Sequence, residues 1–163
     1  MLHGLPPIID ANARTLILGS FPSEASLAAK HYYAHKQNQF WRILAAVLEQ
    51  PLIDMDYAAK QAALRQAGIA VWDVYGHCER SGSLDSAIRN AVSNDFSRLR
   101  KLAPRLVRVC FNGQTAGKHL QALGALGYET LVLPSTSPAY TLAFEKKLEA
   151  WRNALIQPIR AIA

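Results

Sequence analysis

A chain of 163 residues, half of them hydrophobic, with 18 Lys and Arg against 12 Asp and Glu, can bury roughly 70% of its unfolded surface in one core without a metal or disulfide staple. No uninterrupted apolar run approaches the roughly 20 residues of a membrane span. The lone pair Cys78 and Cys110 excludes a zinc finger, a four-cysteine iron–sulfur cluster and a disulfide scaffold, and predicts two buried thiols. The formal charge of +6 points to polyanionic partners.

Met1 to Arg14 holds two prolines, an Asp and an Asn instead of a basic segment followed by an apolar one, so it does not read as a secretory signal and the cytoplasm is the default location. "TLILG", Thr15 to Gly19, predicts a buried strand running into the turn Gly19-Ser20-Phe21-Pro22-Ser23. A polar-aromatic cluster ending at Asn38 follows, and then a helix marked by Phe40, Leu44, Val47 and Leu48 at i, i+4, i+7, i+8. Further strands are predicted at Ile69 to Val74, Leu106 to Phe111 and Thr130 to Pro134, with a last helix through Leu148, Trp151 and Leu155. The basic run "RLRKLAPRLVR", Arg98 to Arg108, has no interleaved aromatics and reads as a solvated helix face and loop. Strands alternating with helices imply parallel pairing through crossovers. The expected fold is an α/β, three-layer α/β/α sandwich around a short, four-stranded, mainly parallel sheet, as a single domain over residues 1–163.

In such open sheets ligands sit beyond the carboxyl ends of the strands. That rule selects Gly19 to Ser23, Asp73 to Gly76, Asn112 to Gln114 and Pro134 to Pro138, segments of small and polar residues whose backbone amides can approach a ligand closely. Familiar chemistries fail on spacing. Gly113 to His119 resembles a phosphate-binding loop but is one residue short between its glycines and lacks the magnesium-holding hydroxyl. His77-Cys78-Glu79 lacks the downstream cysteine pair of a zinc deaminase, and no nucleophile elbow is present. Neither a metal nor a cofactor is expected.

The ordered set of segments resembles the uracil-DNA glycosylase superfamily, and most closely its hypoxanthine-DNA glycosylase branch. "LGSFPS" is similar to the first motif, "YYAHKQNQFW" to the aromatic, Ala-His and Asn-x-Phe-Trp pattern of mismatch-specific members, "GIAVWDVYGHCERSGSLD" to a second-strand signature of the hypoxanthine branch, and "LPSTSPAY" to the Pro-Ser motif after the last strand. The resemblance implies the four-stranded parallel α/β/α fold and a monofunctional glycosylase of base-excision repair, acting as a monomer on DNA in which a deaminated base, preferentially hypoxanthine, is flipped out of the duplex. It also shows departures. Ser20 and Phe21 stand where other branches carry a water-activating Asp or Asn, and Leu133 aligns with the histidine that opens the last motif of uracil enzymes. Weak or absent uracil excision is expected.

Site roles follow from both sources. The resemblance places the hydrolytic group at Asn38, a base-stacking aromatic at Tyr33, a base-reading residue at Asp73 and a minor-groove wedge at Tyr140. By residue chemistry, Asn38 can instead cap the following helix. The backbone amides of the first turn are candidate donors to the departing base, with Gly19, Ser20 and Phe21 assigned to the base and Pro22 and Ser23 to the DNA strand. His35 can donate to a phosphate or sugar. Ser135 and Ser137 can hold phosphate at the start of the last helix, with Pro138 as its first residue. Asn112 is given no role beyond a turn with Gly113. Two other functions stay open at this point: a noncatalytic DNA-binding member of the same fold, and an unrelated doubly wound domain that binds a small nucleotide.

Overall fold

Four five-residue strands form the central sheet because each is a short β-rich, mainly apolar run, three of them closed by Gly19, Asp73 or Asn112 and the fourth followed by Pro134. The computed structural model describes residues 1–156. Its strands are β1 (Leu2–His3), β2 (Thr15–Gly19), β3 (Ile69–Asp73), β4 (Tyr75–Glu79), β5 (Arg89–Ser93), β6 (Arg108–Asn112) and β7 (Glu129–Leu133). The helices are α1 (Glu24–Ala29), α2 (Phe40–Leu48), α3 (Tyr57–Gln66), α4 (Leu99–Leu102), α5 (Gln114–Gly117), α6 (Leu120–Ala125) and α7 (Phe144–Ile156). The main sheet has the order β3-β2-β6-β7 and is parallel throughout, with Gly19 beside Asp73 and Asn112 beside Leu133.

Alternation along the strands builds two cores. Ile17, Val71 and Cys110 face one layer with Phe40, Trp41, Ile43 and Leu44 of α2, Leu64 of α3 and Trp151 of α7. Leu16, Leu18, Trp72, Val109 and Phe111 face the other with Leu99, Ala116 and Leu123. The three-layer sandwich follows directly. Both cysteines are buried free thiols, and burial raises both thiol pKa values, Cys110 to about 12. Among the described residues no helix is long and apolar enough to cross a membrane.

Three expectations are corrected. The strands expected to begin at Leu106 and Thr130 begin at Arg108 and Glu129. Both are charged residues at the strand start, and they pair with each other through Arg108 Nη2 and Glu129 Oε2 at 3.4 Å. The basic run is not wholly solvated: Arg108 is buried and donates to Ala154 O at 2.6 Å, and Arg100 lies 5.0 Å over the Tyr128 ring. Finally, Tyr75-Gly76 opens β4 rather than a loop, and a second, antiparallel sheet of order β1-β4-β5 was not expected. β5, "RNAVS", is exposed along its length and carries no apolar alternation to announce it.

Candidate active site

The strand order reverses at β2, which is flanked by β3 on one side and β6 on the other. Loops leaving β2 and β6 part there, as at the ligand crevice of other doubly wound sheets. A cavity of about 270 Å³ occupies this point and is lined from every segment that the strand-end rule selected, by Gly19 to Ser23, Asp73, Asn112 and Ser135 to Ser137, together with Tyr33, His35, Asn38 and Tyr140. It is slightly smaller than the roughly 300–1,000 Å³ of drug-sized sites, which suits one flat ring system.

Its floor is the Gly19–Asp73 pair. A Cβ on Gly19 would lie 2.6 Å from Asp73 Oδ1 and 2.8 Å from Tyr33 Oη, so this position tolerates no side chain without displacing both groups. Asp73 is 4% exposed, and its Oδ2 is buried with no hydrogen-bond partner among the described residues. Burial, reinforced by the charge of Asp85 and opposed by Arg80, pushes its pKa up to about 7. Asp73 caps no helix, because the chain continues into β4, and its own carbonyl accepts from Asn94 Nδ2 at 2.8 Å. An unpartnered buried carboxyl lining a cavity is a group held ready for a ligand's donor.

One wall is aromatic. Tyr33 adopts a left-handed backbone with φ 56°, which disfavours a side chain by about 1–2 kcal/mol. Its ring stacks on Phe40 at 4.0 Å and 22°, and its hydroxyl accepts from Asn112 Nδ2 at 3.2 Å. Burial raises the pKa of that hydroxyl, so it stays protonated. Tyr32 instead belongs to the core, where it is 3% exposed and its hydroxyl bonds Leu5 O and Pro6 O.

A polar relay joins this wall through Asn112. Asn112 Nδ2 also donates to Thr136 Oγ1 at 3.0 Å, and Asn112 Oδ1 accepts from Thr136 N at the same distance. Thr136 Oγ1 donates to Asn38 Oδ1 at 2.8 Å. Asn38 Oδ1 accepts a second bond, from Phe40 N at 3.0 Å. Asn38 is therefore tied to the helix start, although Gln39 holds the N-cap position of α2 and makes no side-chain cap. Because Oδ1 faces two donors, the amide orientation is fixed, and the group left for the cavity is the Nδ2 donor. Asn112 and Thr136 were missed by sequence reasoning. The strand-end rule selected their segments, but only the fold joins Asn112 to Thr136, 24 positions away, and Thr136 to Asn38, 98 positions away.

The remaining candidates are placed as follows. Ser20 Oγ donates to Asp85 Oδ1 at 2.6 Å, and Phe21 is buried beneath the Arg80 guanidinium. Pro22 O accepts from Arg80 at 2.6 Å, and Ser23 Oγ caps α1 by accepting from Ser26 N at 3.1 Å. His35 is exposed, with Nδ1 accepting from Gln37 N. Ser135 and Ser137 do not start the last helix. α7 begins at Phe144, and the two hydroxyls accept from Ser137 N and Ala139 N in a tight turn in which Tyr140 N reaches Ser137 O. The dipole argument for phosphate at these serines is thereby removed, and Pro138 is a turn residue. The buried Lys147 fastens this turn from below by donating to Ser137 O and Tyr140 O at 3.2 and 2.7 Å. Among the described residues no group of three or more metal-ligating side chains gathers anywhere.

The profile of the Uracil DNA glycosylase superfamily matches residues 6–159. A protein of Methanosarcina acetivorans named hypoxanthine DNA glycosylase is 40% identical over 149 residues, covering 91% of this chain and 94% of that one. Its namesake from Methanosarcina barkeri is 38% identical over 152 residues, covering 93% and 96%. The solution structure of a Methanosarcina acetivorans protein superposes with a TM-score of 0.86 at 38% identity, covering 94% of this chain and 95% of that one.

Proposed function

The chain belongs to the uracil DNA glycosylase superfamily, and from that premise we propose that it is a monofunctional DNA glycosylase that hydrolyses the N-glycosidic bond of deaminated bases, preferentially hypoxanthine, in base-excision repair. The observation that carries this reading is the meeting, in one base-sized cavity, of the unpartnered Asp73 carboxyl, the Tyr33 ring and the Asn38 amide. A base inside a duplex cannot reach such a cavity, so the nucleotide must be flipped out at a cost of a few kcal/mol, least for a damaged pair. Tyr33 has one face on Phe40. Its other face can stack on the extruded ring for about 1–3 kcal/mol. Asp73 accepts the ring N–H that deamination of adenine creates, an edge that adenine itself does not present.

Bond breaking puts positive charge on the sugar and negative charge on the leaving base. Backbone amides of the Gly19 to Ser23 turn meet the anion, each well-aimed donor contributing about 3 kcal/mol. Asn38 positions the water through Nδ2. An amide is no strong base, so water attacks a sugar that is already cationic, forming the C1′–O bond in place of the broken C1′–N bond; the proton the water sheds neutralises the departed base anion, leaving an abasic site and the free base. The protein is proposed to work as a cytoplasmic monomer without metal or cofactor, holding the DNA strand through Pro22, Ser23, His35, Ser135, Ser137 and the Tyr140 wedge. With Leu133 in place of a histidine donor, uracil should leave poorly.

Single-turnover incubation with oligonucleotides carrying hypoxanthine, xanthine, uracil or a G·T mismatch, followed by alkaline cleavage, tests the proposal. Hypoxanthine release faster than uracil release is expected. No strand breaks from any substrate would refute the glycosylase and leave a DNA-binding member of the fold, and predominant uracil release would refute the specificity.

A further inference from the structure

Leu84 is a large apolar side chain left 60% exposed at the rim of the cavity. It stands in the Arg80 to Ile88 connection of the β4–β5 hairpin, the part of the fold that the parallel sheet does not require. Its neighbours in the loop are bound to the base-facing turn. Ser83 Oγ accepts from Glu24 N at 3.0 Å, and Asp85 Oδ1 accepts from Ser20 Oγ at 2.6 Å. Arg80 clamps Gly82 O and Pro22 O together, at 2.8 and 2.6 Å. Polar bonds on both sides therefore hold in place an apolar group that buries little of itself in the protein. Such ordering lowers the entropy cost of a later contact, and a leucine left in water gains from any contact that covers it.

A second cavity, of about 360 Å³, adjoins the first and shares Asp85, Ser135 and Tyr140 with it. The hairpin tip and the turn after β7 therefore both stand on the boundary between the two spaces. Tyr140, on that turn, is 47% exposed, and Val132, lining the second cavity, is 37% exposed. Leu84 and Tyr140 thus both stand exposed on the lining of the cavity that a flipped nucleotide must enter, and Val132 lines the space beside it. Proteins that kink or open a duplex insert such wedges between base steps. The serine-rich tip turns through Gly82 at φ 77°.

We infer that Leu84 is a second inserting residue, which enters the DNA stack together with Tyr140 and occupies the space that the extruded nucleotide leaves. The inference rests on the proposed glycosylase reading. Its partner is duplex DNA, through continuity with the base cavity and the net positive charge of the chain.

The test compares single-turnover hypoxanthine release from duplex and from single-stranded oligonucleotides for the wild type, Leu84→Ala and Leu84→Phe. A single strand has no pair to replace, so the duplex-to-single-strand rate ratio should fall about tenfold in Leu84→Ala, the worth of one buried leucine. Leu84→Phe should restore it. A ratio within twofold of wild type in Leu84→Ala would overturn the inference, whatever partner the leucine then serves. A second arm needs no catalysis: fluorescence of 2-aminopurine placed beside a tetrahydrofuran abasic analogue in a duplex. The wild type should raise it by opening the stack, and Leu84→Ala should raise it much less; equal signals would overturn the inference even if the protein releases no base. A wild type that opens the stack without releasing any base would refute the glycosylase reading alone.

Discussion

Replacing Asp73 with Asn exchanges a buried carboxyl for an amide of the same shape, and the effect should depend on pH in a defined direction. The folded pKa of Asp73 is raised from 3.8 to about 7, first by burial and then by Asp85. Between those two values the folded state holds a proton that the unfolded state releases, so stability falls as pH rises through this window and levels off above it. Three units at about 1.4 kcal/mol each set a ceiling near 4 kcal/mol for the cost of the ionised group at pH 8. Asn cannot ionise and does not incur this cost. Because the amide also needs partners, a net gain of about 1–3 kcal/mol is expected at pH 8, or roughly 2–4 °C in Tm per kcal/mol for a domain of this size. At pH 4.5 most of that cost is gone while the amide's unmet partners remain, so the variant should be no more stable than the wild type and up to about 2 kcal/mol less stable. Thermal unfolding followed by circular dichroism at both pH values measures the difference. A Tm gap that is the same at both, or an Asn variant less stable at pH 8, would refute the account of Asp73 as a destabilising group retained for a ligand.

Asn38→Ala should lower single-turnover release of hypoxanthine by about 10²-fold or more, the loss typical of one oriented catalytic group; release at the wild-type rate would refute its assignment. Gly19→Ala should keep the circular dichroism spectrum but reduce release at least tenfold, because the new methyl must push aside the carboxyl 2.6 Å away; the same assay at full rate would show that the floor of the cavity yields. Thr136→Val removes the hydroxyl between Asn112 and Asn38. It should cost about 1–3 kcal/mol in urea unfolding by stranding buried partners, and Thr136→Ser should recover most of that. Asp73→Leu, which deletes both oxygens, should depress hypoxanthine release more than Asp73→Asn, which keeps an acceptor; equal losses would argue against base reading by that oxygen.

The strand ends that line the cavity were legible because they follow from local rules. A run such as "TLILG" buries best as a strand between two helical layers, and the strand-end rule then selects Gly19, Asp73 and the Asn112 segment without coordinates. The ordered motifs likewise located Tyr33 and Asn38. The antiparallel hairpin was not legible, since β5 is exposed throughout and has no alternating face to bury. Nor were Ser135 and Ser137 correctly placed: Pro138 favours a helix start and a turn alike, and the choice is made by Lys147, which binds the turn's carbonyls from a helix that begins at Phe144.

By itself, the sequence determined the alternation of strands and helices, the parallel sheet and the segments that must border its crevice, because burial periodicity and turn chemistry are local. Tertiary structure alone decided the chemistry of the crevice. It left Asp73 Oδ2 without a partner, turned Asn38 so that its carbonyl oxygen is engaged, made Asn112 and Thr136 the relay from Tyr33 to Asn38, and set Leu84 at the rim. Hydrogen bonds between residues as many as 98 positions apart leave no periodic trace in the chain, and a carboxyl's pKa depends on which charges and how much water the fold leaves beside it.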